Sequence, residues 1–198
     1  MLIRSKVCLP VAALFALATT PAGAEEVRQL GAHVHGHGRL GIAIEGRTVS
    51  LELEAPGMDI VGFEHPATTD ADKAIVEQAK ATLADPSKLF AFPADAGCRT
   101  VSTEVELHAE EHHDDEDEAA TGATAEAGED HDDHDGHTEF HVTYNLDCAE
   151  PASIGTIELP FFAAFPGSQE LDVTIVGDRG QAEIEVPRAS PRLDLSAL

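Results

Sequence analysis

The chain is short of positive charge. It holds 12 Lys and Arg against 37 Asp and Glu, a net charge of −25 with histidine neutral. A polyanion of that strength repels nucleic-acid phosphates and anionic membrane surfaces, so neither is an expected partner. Cations are the expected partners. Long apolar runs are lacking too. "VCLPVAALFALA" follows Arg4 and Lys6 and precedes the small residues of "AGA" at 22–24. It is too short to span a bilayer and reads as a cleaved secretory signal, residues 1–24. Nothing later is long and apolar enough to cross a membrane, and no cysteine stands just past the run to carry lipid. No membrane anchor is expected. Without Arg4 and Lys6, the remaining 174 residues, 25–198, carry −27 and suit a single domain.

Soft sulfur is scarce as well. Beyond the signal, Met58 is the one methionine, and Cys98 and Cys148 are the two cysteines. An even pair in an exported chain reads as a disulfide. Closing a loop of about 50 residues, it contributes roughly 4 kcal/mol in the loop-entropy account. Copper(I), which prefers thiolate and thioether, is then poorly served. Neither H-E-x-x-H nor G-x-S-x-G occurs, and no free thiol is left as a nucleophile. The expected class is a binding protein, not an enzyme.

What the chain has is histidine among acids. Residues 108–141, "HAEEHHDDEDEAATGATAEAGEDHDDHDGHTEFH", hold seven of the eleven histidines and fourteen Asp or Glu, with no Lys or Arg. The acidic insert, 109–137, has too little apolar content to build a core. Disorder without a ligand is the expectation. Imidazole nitrogen and carboxylate oxygen are zinc donors, and bound cations relieve the repulsion among the acids. His112 and His113 lie in the first acidic block. His131, His134 and His137 recur every three residues in the second, with His141 four further. Nickel and copper(II) also accept imidazole. Calcium fits less well, because "DHDDHDGH" lacks EF-hand spacing.

Alternation marks the scaffold. Residues 40–54 read as a hairpin turning at Glu45-Gly46-Arg47, and 69–84 as the principal helix, capped by Thr68, Thr69 or Asp70, with Ile75, Ala79 and Leu83 on one stripe and Val76 beside it. Residues 100–108 and 138–147 alternate, further strands are expected near 153–159 and 170–177, "GDRG" turns the chain into "QAEIEVP", and the tail from Arg188 is expected to be loose. The fold class is α+β, mainly antiparallel sheet with one principal helix, and the His-rich segment is the tip of a long hairpin loop.

Register in that hairpin can be worked out by burial. Pairing Cys98 directly with Cys148 throughout sets one strand's apolar residues against the other's polar ones. Shifting by one pairs Val101 with Leu146, Thr103 with Tyr144, Val105 with Val142 and Leu107 with Phe140. A bulge or a strand end must then absorb the cysteines' offset. Glu106 falls opposite His141 and His108 opposite Glu139 on the polar face, a candidate ordered metal site at the loop's root. A second group stands at "AHVHGHGRLG". His33, His35 and His37 would share one side of an extended strand, adjacent members about 7 Å apart. His65, next to Pro66, is either a core or turn histidine or a fourth ligand.

"HVHGHGRLGIAIEG", "PGMDIVGFEHPATTD" and the acidic His-rich insert followed by "TEFHVTYNLDC" resemble the ZrgA-type periplasmic proteins. The likeness runs over nearly all of the chain beyond the signal. It implies a periplasmic zinc-binding accessory of zinc uptake in Gram-negative bacteria, holding zinc for the substrate-binding protein of an ABC transporter. It implies His33, His35 and His65 as matching positions and the insert as a zinc-collecting loop. Two other readings stand beside this one: a general nickel or copper(II) buffer, and a β-rich interaction module whose acidic loop only solubilises it.

Overall fold

The computed structural model describes residues 34–109 and 137–196. The signal segment, His33, and residues 110–136 of the insert with His112, His113, His131 and His134 lie outside the described residues.

The first alternating stretch forms the expected hairpin: β1 (His37–Glu45) and β2 (Thr48–Pro56), antiparallel, with Glu45 opposite Thr48. Gly46 at φ +55° supplies the left-handed residue of the two-residue turn. β3 (Cys98–Ala109) and β4 (Thr138–Cys148) flank the insert and pair antiparallel. β4 lies on β2, and a six-stranded sheet runs β3-β4-β2-β1-β6-β7, with β6 (Glu170–Gly177) and β7 (Gly180–Pro187) at the far side. All neighbours are antiparallel except β1 and β6, which run parallel.

One face of this sheet is the core. Leu40, Ile42, Val49, Leu51, Leu53, Phe140, Val142, Tyr144, Leu171, Val173 and Ile175 all point there and are buried. The period of two places Glu52, Glu54, Glu104, Glu106, Asp172, Glu183 and Glu185 on the other face, which is open to water. The core face is covered by α2 (Asp70–Leu83), by the segment carrying Leu89 and Phe90, and by α3 (Phe161–Ala164). Phe90 stands edge-on to Tyr144 at 5.6 Å and stacks with Phe161 at 6.4 Å. Thr69 caps α2, its hydroxyl accepting from the Asp72 amide while Asp72 reaches back to Thr69.

The hairpin register is the burial-selected one over most of its length. Thr103 faces Tyr144, Val105 faces Val142 and Leu107 faces Phe140. Nearer the base, Cys98 pairs directly with Cys148, and the disulfide joins them. The two registers meet at a bulge between Thr100 and Ser102. Val101 is therefore not opposite Leu146, which pairs with Thr100. It is the extra residue, 66% exposed.

Other details differ from expectation. Val76, Ala79 and Leu83 form the buried stripe of α2, and Ile75 falls outside it, exposed. "PGMDIVG", which shows no alternation in the sequence, contains a short helix, α1 (Gly57–Val61). The expected strand at 153–159 reduces to β5 (Thr156–Glu158). The tail is not loose through Ser196. Arg192–Asp194 forms β8 on β5, because Leu193 and Leu195, two apart, both turn into the core.

Candidate metal site at one end of the sheet

Topology gathers the chemistry at one end. β1 begins there at His37, β2 ends there at Pro56, β3 ends there at Ala109, and β4 begins there at Thr138. The His-rich insert leaves and rejoins the sheet at this same end.

The approach to β1 is a turn, not an extended strand. His37 N–H donates to the Val34 carbonyl at 3.0 Å, and Gly36 takes φ +87°, the left-handed third position of a type II turn. His35 and His37 therefore do not alternate along one strand face. The turn aims the Gly36 N–H at Asp59, whose Oδ1 accepts it at 2.8 Å. His35 Nε2 meets Glu64 Oε1 at 2.6 Å. From the other side His137, the last residue of the insert, brings Nδ1 to Glu64 Oε2 at 2.9 Å. One carboxylate thus clasps two imidazoles that lie 102 positions apart in the chain.

Two glycines set this packing. A Cβ on Gly57 would stand 2.2 Å from Thr138 Oγ1, so α1 fits beneath the start of β4 only without a side chain. A Cβ on Gly167 would stand 2.5 Å from the Asp59 carbonyl oxygen. Asp59 is consequently 4% exposed, and its Oδ2 has no hydrogen-bond partner among the described residues. Burial pushes its carboxyl above the usual carboxylate range; the Gly36 N–H, His35 and His37 pull the other way. A buried carboxylate oxygen with no hydrogen-bond partner, coupled electrostatically to His35 and His37, is a candidate donor to a cation.

His37 itself is turned toward Glu170, Nδ1 to Oε1 at 3.4 Å. His65 does not join the clasp in its described contacts. It stacks on Phe63 at 4.7 Å, with Nδ1 3.1 Å from the Pro66 carbonyl oxygen. Glu64, its neighbour, is the residue that reaches the histidines. Glu64 and Asp59 were both missed in the sequence. The signal for Asp59 is its place between Gly57 and Gly62 in "GMDIVG", but its partner Gly36 is 23 positions away.

The loop-root pairs stand as the register places them. Glu106 is opposite His141 and His108 opposite Glu139. These side chains lie on the open face and share no residue with the Glu64 clasp. Among the described residues, no three His, Cys, Asp or Glu side chains already stand at ion-holding separation. The closest donors are joined by hydrogen bonds. A tetrahedral zinc ion with bonds near 2.0–2.1 Å separates its ligands by about 3.3 Å. Imidazole and carboxylate held at 2.6–2.9 Å thus need only a sub-ångström widening for an ion to replace their shared proton.

Imidazoles and carboxylates, with both cysteines tied in a disulfide, are the donor set of a divalent-cation binder rather than a soft-metal site. The family agrees with that class. Residues 32–195 match the family described as ZrgA family zinc uptake protein, and the chain belongs to it. A comparison with curated proteins finds none that matches. No helix among the described residues is long and apolar enough to cross a membrane.

Proposed function

We propose that this protein captures and buffers zinc in the periplasm and assists high-affinity zinc uptake by passing the ion on. The observation that carries the reading is the Glu64 clasp, which joins His35 of the approach to β1 to His137 at the insert's end, beside the buried Asp59 carboxylate. The insert's histidines and acids collect ions; the clasp holds one at the fixed end of the sheet. The receiving partner is the zinc-binding component of an uptake transporter.

Entropy favours this division of labour. Ordering a flexible chain costs about 1–2 kcal/mol per residue, so a whole insert wrapped round ions binds them weakly and releases them quickly. A site on strand ends and a tight turn is ordered beforehand and loses less. Zinc suits the mixture of imidazole and carboxylate; nickel and copper(II) are the competing cargoes.

Zinc content and calorimetric titration of the exported protein, purified without chelators or an affinity tag, test the reading. Several equivalents are expected at pH 7.5, fewer at pH 5.5, because protons compete for imidazole nitrogen. Deleting 109–137 should remove most of them. Stoichiometry unchanged by the deletion would leave the insert a solubilising loop, and protein that retains no zinc at micromolar concentration would end the proposal.

A further inference from the structure

The open face of the sheet carries a second set of donors. His108 of β3 and His141 of β4 are diagonal neighbours, and their rings lie 4.4 Å apart. His141 Nε2 meets Glu139 Oε2 at 2.6 Å, and His108 Nε2 meets Glu106 Oε2 at 3.1 Å. Glu139 is 8% exposed although it sits on the face that is open to water. Two imidazoles and two carboxylates on adjacent strands are donors of the kind zinc takes, paired as they stand by hydrogen bonds, so that side-chain rotation on the open face has to bring all four onto one ion.

Beside it stands a cation already in place. Arg39 of β1 binds Glu54 Oε2 through Nε and Nη2, both at 2.6 Å, and its Nη2 lies 3.9 Å from Glu139 Oε1. Glu54 is the cross-strand neighbour of His141. Glu54, Glu106 and Glu139 against the single Arg39 leave two negative charges, the charge of one divalent cation.

We propose that Glu106, His108, Glu139 and His141 form a transit site for a divalent cation at the root of the insert, with Arg39 as the built-in competitor that keeps its affinity low. The site takes an ion from the insert and gives it up readily, since Arg39 repels the ion and draws on the same Glu139 carboxylate. It shares no residue with the Glu64 clasp, and it has its own counter-cation in Arg39. The proposal rests on the reading that the protein binds zinc.

The test uses the full-length exported chain with His112, His113, His131 and His134 replaced by Gln, so that the insert keeps its length and loses its imidazoles. Ring signals of the remaining histidines are followed by NMR during zinc titration. The signals of His108 and His141 should move together, at an equivalent distinct from that of His35 and His137. Glu139→Gln should abolish that joint movement while the backbone spectrum stays dispersed. Arg39→Gln should tighten this site on the order of tenfold, the scale of one unit charge acting on a dication near water, and should steepen its salt dependence, because the local charge that attracts the ion becomes more negative. Movement of His35 and His137 without His108 and His141 would overturn the transit site and leave the zinc reading standing. No movement of any histidine would overturn both. Unchanged affinity in the Arg39 variant would remove Arg39 from the proposal.

Discussion

Single side chains decide what the end of the sheet can hold. Glu64 accepts from or is shared with two imidazoles, so removing its charge removes the element common to both. Glu64→Gln should weaken zinc at the clasp by about 10–100-fold, the usual effect of losing a carboxylate that ligates or orients histidine, as read by competition with a chelating dye. Asp59 makes the opposite bargain with the fold. Its buried charge lacks a full set of partners, and burial raises its pKa. Asp59→Asn keeps the acceptor for Gly36 N–H and removes that charge. The metal-free variant should melt at a higher temperature than the parent, yet bind zinc more weakly. A variant both less stable and equally avid would show that Asp59 has a structural role instead. Histidines advertise themselves in a sequence; the carboxylates that orient them do not, among so many acids. That is why His65 drew attention and Glu64 did not. Which of two adjacent residues points inward depends on the Phe63–His65 stack and on the Gly36 turn, neither of which has a spacing signature.

At the scale of elements, the β3–β4 hairpin has to reconcile two demands. Burial of Val105, Leu107 and their partners wants one register; the disulfide wants another. The bulge at Val101 satisfies both, at the expense of one exposed valine. This was legible in advance because side-chain alternation and the cysteine positions are local facts that conflict by one residue. The parallel β1–β6 pair was not legible, since alternation reveals faces and not neighbours. Nor was β8, whose two leucines sit in a segment of turn-like composition. The disulfide closes the loop containing the insert, with its cysteines separated by 50 positions. Replacing both by Ala should cost about 4 kcal/mol in denaturant melts, because the open chain regains the loop's freedom. Thr69→Ala loses one half of the capping box and should cost about 1 kcal/mol. Neither change touches the clasp, so zinc stoichiometry should hold where the protein remains folded.

Over the whole molecule, two sets of titrations act in separate windows. In the fold, the Thr69 hydroxyl holds Asp72 below the usual carboxylate range, Ser87 does so for Asp85, and hydrogen bonding to Arg47 does so for Asp147. A depressed folded pKa adds stability that is present above the unfolded value of 3.8 and is lost as pH falls through the folded value. These groups therefore favour the fold at every pH above about 4, the ordinary carboxylate value. On the proposed reading, zinc adds stability only while imidazole nitrogen is free of protons, and imidazole ordinarily titrates near 6.5. Free zinc at about 100 times the dissociation constant contributes roughly 2.7 kcal/mol to the folded state. Thermal melts with and without zinc at pH 7.5, 6.5, 5.5 and 4.5 should separate the two windows. The zinc-dependent rise in melting temperature should be large at 7.5 and nearly gone at 5.5, while the metal-free protein still melts cooperatively at 4.5. A rise that survives at 5.5 would mean that carboxylates alone carry the ion. In a chain of net charge −25 that outcome is chemically open, and it would take the cargo away from the histidines.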